Sequence, residues 1–577
     1  MPTSHPPISP RPSKTLSKHS RSHPKHVVYP PKSVANWSVS NHILNPISNL
    51  KYLIINHLSQ IYQSPFKGKT FFLLPTLFLL SLLTLQSSAQ PDTRPFLITL
   101  QDDQTNRGVP LVELTTVNNL RYVSDSAGNI AFNEPGLLNQ RVFFNISSHG
   151  YEFPKDGFGI RGKALDIKPG GQAIIKIKRL NIAQRLYRIT GQGIYRDTIL
   201  VGKPAPLKEP LLNGQVLGQD SAHAVIFHNQ IHYFWGDTNR PSYPLGHFGT
   251  AGAVADLPTS GGLDPNIGID LTYFTDDKGF SRPTLERKGS NPRWVDGVVA
   301  FKDANGKEHL IARCDTMKSL GQKLEREIVE WNDTTKMLAP LAKLDLNEPL
   351  SPTGHPFPQT IDNTIYLYFG EPYPNLRAPA EIEKLKTPAA YEGFTCLAPT
   401  TRFDKANTKL DRDAEGKLIW SWKKNTPPIS QDQQTQLIKS NLMKQSEAWY
   451  TLKDADTRQD VLLHAGSTAW NAYRKKWVLI AVQHYGKPSF LGEVWYTESD
   501  QPQGPYVYAK RIVTHDRYSF YNPVHHPFFD QEDGKTVYFE GTYTTTFSRN
   551  DNPTPRYDYN QIMYKLDLSD DRLKLPQ

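Results

Sequence analysis

The chain has 577 residues, 38% of them hydrophobic, 11% aromatic and 21% charged. That is too long for one ordinary core and too apolar for a disordered or fibrous protein. The net charge of +10 is confined to the leader: residues 1–69 carry nine Lys or Arg and no acid, and from Gln90 onward 57 basic face 56 acidic residues. A balance of this kind is not the footprint of a nucleic-acid-binding protein.

In chain order, residues 1–66 are rich in Ser, Pro, His and Lys and read as a leader of doubtful status, such as a misassigned start or a transit-like extension. Residues 67–89 combine the basic Lys67-Gly68-Lys69, an apolar run from Phe71 to Leu85, and the small exit Ser87-Ser88-Ala89. This is the pattern of a secretory signal peptide cleaved after Ala89, the alternative being a signal anchor. The run is short for a bilayer span. The expectation is a secreted or periplasmic protein with no stable membrane span after cleavage. Cys314 and Cys396 are the two cysteines, enough for one disulfide or for two buried thiols, and too few for a disulfide scaffold.

Residues 94–180 present short strands between turn signals, among them Phe96 to Leu100, Leu111 to Thr115, Arg141 to Ile146 and Ala173 to Lys178. Such spacing predicts a small β-sandwich. The motifs "GVPLVEL", "YVSDSAGNIAF" and "SSHGYEF" in this stretch resemble the carboxypeptidase-regulatory or transthyretin-like modules of secreted bacterial enzymes.

Residues 181–570 repeat one pattern five times: a turn, then a strand of aromatic and β-branched residues. The repeats lie at residues 228–235, 305–312, 362–369, 474–480 and 533–539. Marker residues Phe234, Leu310, Leu367, Val478 and Tyr538 are separated by 76, 57, 111 and 60 residues. The recurrence predicts a five-bladed β-propeller, with an irregular sandwich as the alternative and an insertion near 377–445 in the long gap. The whole is read as all-β, a small β-sandwich followed by a five-bladed β-propeller.

The first strands of propeller blades converge on a funnel, so polar residues upstream of each repeat strand are the candidate site. These are Asp220, Asp296, His355, the stretch Ser467 to Asn471, and His525 with His526; Asp237 follows the first repeat strand. Sugar hydrolysis needs one protonated and one ionised carboxyl flanking the scissile bond. Asp220, Asp237 and Asp296 supply the acids. Trp294, His355, Asn471, Arg474, Tyr521 and His525 are candidate substrate contacts, aromatic faces suiting the C–H surfaces of sugar rings. Each has a plainer reading: a turn cap, a hairpin tip or core packing. Glu371 in "YFGEP", Glu447 and Glu540 read as rim or structural carboxylates, Glu371 and Glu540 being placed after their repeat strands as Asp237 is. No metal ligand set and no cofactor is expected, although His525 and His526, with Asp296 or His355 opposite, could hold a calcium ion through its water shell. Walker, Rossmann, HExxH, CxxC and GxSxG signatures are absent.

Asp220 ahead of "HNQIHYFWGDT" and Asp296 in "WVDGVVAFKDANGKEHLIA" resemble glycoside hydrolase family 43. The resemblance implies a general base at Asp220 and a pKa-modulating Asp at Asp296. It departs at the third blade, where His355 stands in place of a general-acid Glu. The first blade is also similar to the endo-D-arabinanase propellers, which implies an acidic pair at Asp220 and Asp237. The expected partner is a polysaccharide or oligosaccharide, cleaved by a pair of acidic residues. The competing classes are a non-catalytic glycan-binding propeller and a polysaccharide lyase using His and Tyr.

Overall fold

The computed structural model describes residues 92–247, 249–286 and 289–576; the leader and the signal run lie outside these residues. Two four-stranded sheets open the described chain. The strand Arg141–Ser147 shows why they stack: Val142, Phe144 and Ile146 are buried while Arg141, Asn145 and Ser147 face water. Ile98, Leu100, Val112, Leu114 and Phe144 meet in one core between the sheets, each fully buried side chain of this kind contributing about 1.5–3 kcal/mol.

Among the described residues a small sheet of Gly218–Gln219, Thr238–Arg240 and Tyr243–His247 and five sheets of four or five strands follow, the five in series. Their first strands are His223–Phe227, Arg293–Lys302, Phe357–Ile361, Leu463–Asn471 and Ser519–His525. Their second strands are Gln230–Trp235, Glu308–Ser319, Thr364–Phe369, Lys476–Gln483 and Thr536–Thr544, the five repeats of the sequence. The turns explain the recurrence. His228 and Asn229, like Asp362 and Asn363, all have left-handed φ values and join paired strands by two-residue loops. That backbone matches strand twist and favours Asn and Asp.

All five first strands line one cavity of about 660 Å³, with Val225, Val299, Phe357, Thr468 and His525 among its walls. The fifth sheet takes its outermost strand, Gln184–Arg188, from ahead of the first sheet and pairs it with Asn560–Asp567. The all-β class and the bladed architecture expected from the sequence hold.

The sandwich is tied to this array by buried polar contacts. Tyr557 Oη donates to the Ser124 carbonyl at 2.6 Å, and Arg185 Nε to that of Pro110 at 3.0 Å. Thr198 N–H donates to Asp125 at 2.7 Å. In the third sheet the strands Leu376–Pro379, Glu392–Thr395 and Ser421–Lys424 complete five. The chain beyond them forms the helix Gln431–Lys439, started by a reciprocal Ser430–Gln433 capping box. Cys396, Leu397, Ile429, Leu437 and Met443 give this polar-looking stretch its own apolar cluster. Cys314 and Cys396 are free, buried thiols. Among the described residues, no helix is long and apolar enough to cross a membrane.

Candidate functional site

A cavity of about 370 Å³ opens where the first three sheets begin their first strands and end their second. Asp220, Asp237, Trp294, Asp296, His355 and Glu371 line it. Hairpin geometry explains the first two. Asp220 precedes His223–Phe227, and the returning strand Gln230–Trp235 brings Asp237 back to the same end. Asp237 N–H donates to Asp220 Oδ1 at 3.0 Å. Gly236 permits this approach, since a Cβ there would lie 2.3 Å from Asp220 Oδ1.

Tyr521 Oη, from the fifth sheet, donates to Asp220 Oδ2 at 2.7 Å. Asp237 Oδ1 accepts from Trp294 Nε1 at 2.8 Å and from Gly249 N–H at 3.0 Å. Burial raises the pKa of Asp220, against the hydrogen bonds of Tyr521 and Asp237 N–H. Burial, then the negative charge of Asp220, push Asp237 up to about 7. Near neutral pH the pair shares a proton that sits on the Asp237 side, while Asp220, which accepts from Tyr521 and from Asp237 N–H, carries the charge.

Asp296 sits in the second sheet's first strand. Burial works against its charge, but the Arg313 guanidinium, His223, Thr353 and Gly354 hold its carboxyl below the ordinary range. Arg313 donates to Asp296 Oδ2, Thr353 Oγ1 to the same oxygen at 2.9 Å, and Gly354 N–H to Oδ1 at 2.7 Å. Asp296 is therefore ionised.

Glu371 follows Thr364–Phe369 in the third sheet. Protein encloses it on its sides while solvent reaches it through the cavity. Burial and the charge of Asp296 push it up to about 8, against the pull of Arg313. Its position depends on two glycines. Gly354 has φ 71°, and a Cβ there would meet the Gly370 carbonyl oxygen at 2.1 Å. Gly370 N–H in turn donates to the Thr353 carbonyl at 3.1 Å. This contact sets Glu371 beside the loop that binds Asp296. His355 lies next to it, its ring 5.0 Å from that of His223, with burial driving its pKa well below the usual range.

The structure thus brings together Asp220, Asp237, Asp296, Trp294 and His355, with Tyr521 joined through Asp220. It does not bring Asn471 or Arg474 to the cavity. Asn471 Nδ2 donates to the Gly534 carbonyl at 2.7 Å, and its Oδ1 accepts Arg474 N–H at 2.8 Å. Arg474 pairs with Glu498 at 2.7 Å. Both belong to the fourth sheet's hairpin turn, at the end of the hairpin away from the residues that line the carboxylate cavity. His525 lines the larger cavity instead, with Nε2 2.8 Å from Asp530 Oδ1. His526 Nε2 lies 2.7 Å from Glu540 Oε1. Each of the two histidines thus has a carboxylate partner of its own, and His355 lines the same larger cavity as His525. Among the described residues no group of three or more His, Cys, Asp or Glu converges to hold a metal ion.

Glu371, read as a rim or structural carboxylate, is exposed as that reading expects and also lines the cavity. Its signal was its place after the third repeat strand, matching Asp237 after the first. Glu540, given the same reading, instead lies within its strand and is fully buried. Arg313 left no signal, because its pairing with Asp296 arises only from strand register.

No family model and no curated protein matches this chain. Some solved structures match this chain in part. An exo-β-1,3-galactanase from Phanerochaete chrysosporium with β-1,3-galactotriose is 10% identical at a TM-score of 0.32, over 64% of this chain and 66% of that one. An exo-1,5-α-L-arabinanase from a bovine ruminal metagenomic library is 10% identical at 0.29, over 61% and 94%. The GH43_1 enzyme from Xanthomonas citri complexed with xylose is 10% identical at 0.29, over 61% and 87%. The match spans just under two thirds of the galactanase chain. Likeness of this order decides neither substrate nor chemistry.

Proposed function

We propose that this protein is a glycoside hydrolase acting on a polysaccharide or oligosaccharide, exported from the cell by the signal run at 67–89. The observation that carries the reading is the set of carboxyls from three successive sheets in one cavity, held in opposite protonation states. Glu371 is the proton donor and Asp220 the base. Asp296, fixed as an anion by Arg313, keeps Glu371 protonated at neutral pH.

In the reaction the Glu371 proton passes to the glycosidic oxygen as the bond from that oxygen to the anomeric carbon breaks, its electron pair staying on the oxygen. Water adds to the anomeric carbon and gives a proton to Asp220. Exchange with solvent returns the proton to Glu371. Trp294, its indole N–H turned to Asp237, offers a ring face to the sugar. A second reading rests on the Asp237–Asp220 contact: these two carboxyls alone form the working pair. A lyase using Tyr521 as base is disfavoured, since burial and the Asp220 charge keep its hydroxyl protonated.

Sugar release from plant, algal and bacterial polysaccharides tests the reading, with Asp220→Asn and Glu371→Gln as controls. Turnover that falls at least about 10²-fold in both supports it. Binding without turnover in the parent would make the protein a glycan-binding module.

A further inference from the structure

Glu371 stands in the wall between two cavities. The first is the carboxylate-lined one, built by the first three sheets. The second, of about 270 Å³, is built by the third and fourth, and Glu371 is the one residue common to both linings. Polar groups of the second come from Gln431 and Asp432, at the start of the capped helix, and from His464 and His484. His464 opens the fourth sheet's first strand and His484 follows its second, their rings 5.2 Å apart. His484 stacks at 3.9 Å on Tyr485, which is 65% exposed and faces water. Among the described residues, neither the Asp432 carboxylate nor the His464 ring makes a side-chain hydrogen bond, so both remain open to a ligand.

A general acid protonates the oxygen of the departing sugar. The sugar that keeps the anomeric carbon must lie between Glu371 and Asp220, in the first cavity, and the departing one beyond Glu371. We infer that the second cavity is the leaving-group subsite, which takes a neutral sugar of an oligosaccharide or polysaccharide laid from the first sheet to the fourth. The inference rests on the hydrolase reading above. Neutrality follows from the lining: no Lys or Arg faces the cavity, Asp432 would repel a uronate, and burial lowers the pKa of both His464 and His484. The helix that supplies Gln431 and Asp432 lies between the last strand of the third sheet and the fourth sheet, so specificity on this side is set by that connection.

Asp432→Ala and His464→Ala test this on the polysaccharide the parent cleaves and on the 2,4-dinitrophenyl glycoside of the sugar it releases. The aryl group leaves without protonation and does not need the second cavity. The expected result is a fall in kcat/KM of about tenfold on the polysaccharide and less than about twofold on the aryl glycoside. Unchanged rates on the polysaccharide, or equal losses on both substrates, overturn the subsite while the hydrolase reading stands. A parent that releases no sugar from any polysaccharide tried fails the hydrolase reading, and the subsite falls with it.

Discussion

Tyr521 and Asp220 lie 301 residues apart in the chain and are joined by a 2.7 Å hydrogen bond from the last sheet to the base proposed in the first. The phenol stabilises the charged carboxylate. Tyr521→Phe keeps the ring and removes the donor, so the pKa of Asp220 rises further. The acid limb of the kcat/KM profile should move up by about one pH unit, with a stability loss of about 1 kcal/mol for the buried hydroxyl. An unmoved acid limb would show that Asp220 is not the group titrating there.

Glu371 links activity and stability through one proton. Activity should fall as pH rises through about 8, where the donor ionises. The folded pKa lies above the ordinary 4.5, so the group's contribution to stability is complete below that value and is lost as pH rises toward 8. Glu371→Gln escapes the loss. Its melting temperature relative to the parent should climb between about pH 5 and pH 8, while its turnover falls at least about 10²-fold. Parallel melting curves across that range would refute the protonated state.

Asp237 separates the two readings of the site. The hydrogen bond it gives Asp220 comes from its backbone, and Asp237→Asn leaves that donor in place. With Glu371 as acid, this variant should keep turnover within about tenfold of the parent, against at least about 10² for Asp220→Asn. Equal losses in single-turnover assays would instead make the first-sheet pair the machinery.

Gly354→Ala tests how Glu371 is placed. The new Cβ would collide with the Gly370 carbonyl and sit at an unfavourable φ of 71°. A cost of about 1–3 kcal/mol is expected. The alkaline limb should drop below pH 8 as Glu371 moves away from Asp296. A normal profile on a destabilised protein would separate the contact from catalysis.

The sandwich and the five repeats were legible because both are written in local pattern: period-two burial in strands such as Arg141–Ser147, and paired left-handed residues at turns such as Asp362-Asn363. Asp220 and Asp237 were legible for the same reason, since a two-residue hairpin fixes where both ends return. Glu371 was visible by position and is exposed, as a rim glutamate is, but its place on the cavity wall depends on the contact between Gly354 and Gly370, which local pattern does not show. Arg313 was invisible, its partner being chosen by cross-strand register. Asn471 and Arg474 misled because the fourth sheet's first strand runs nine residues, Leu463–Asn471, carrying them to the far end of the hairpin.

The strand Gln184–Arg188 completes the fifth sheet against Asn560–Asp567, and this orders events during synthesis. The early strand leaves the ribosome nearly four hundred residues before its partner and must wait with an open edge. Until that partner arrives, Tyr521 and its sheet cannot settle, and Asp220 lacks its phenol. A chain truncated before Asn560 is thus left with both an adhesive β-edge and an unfinished candidate site.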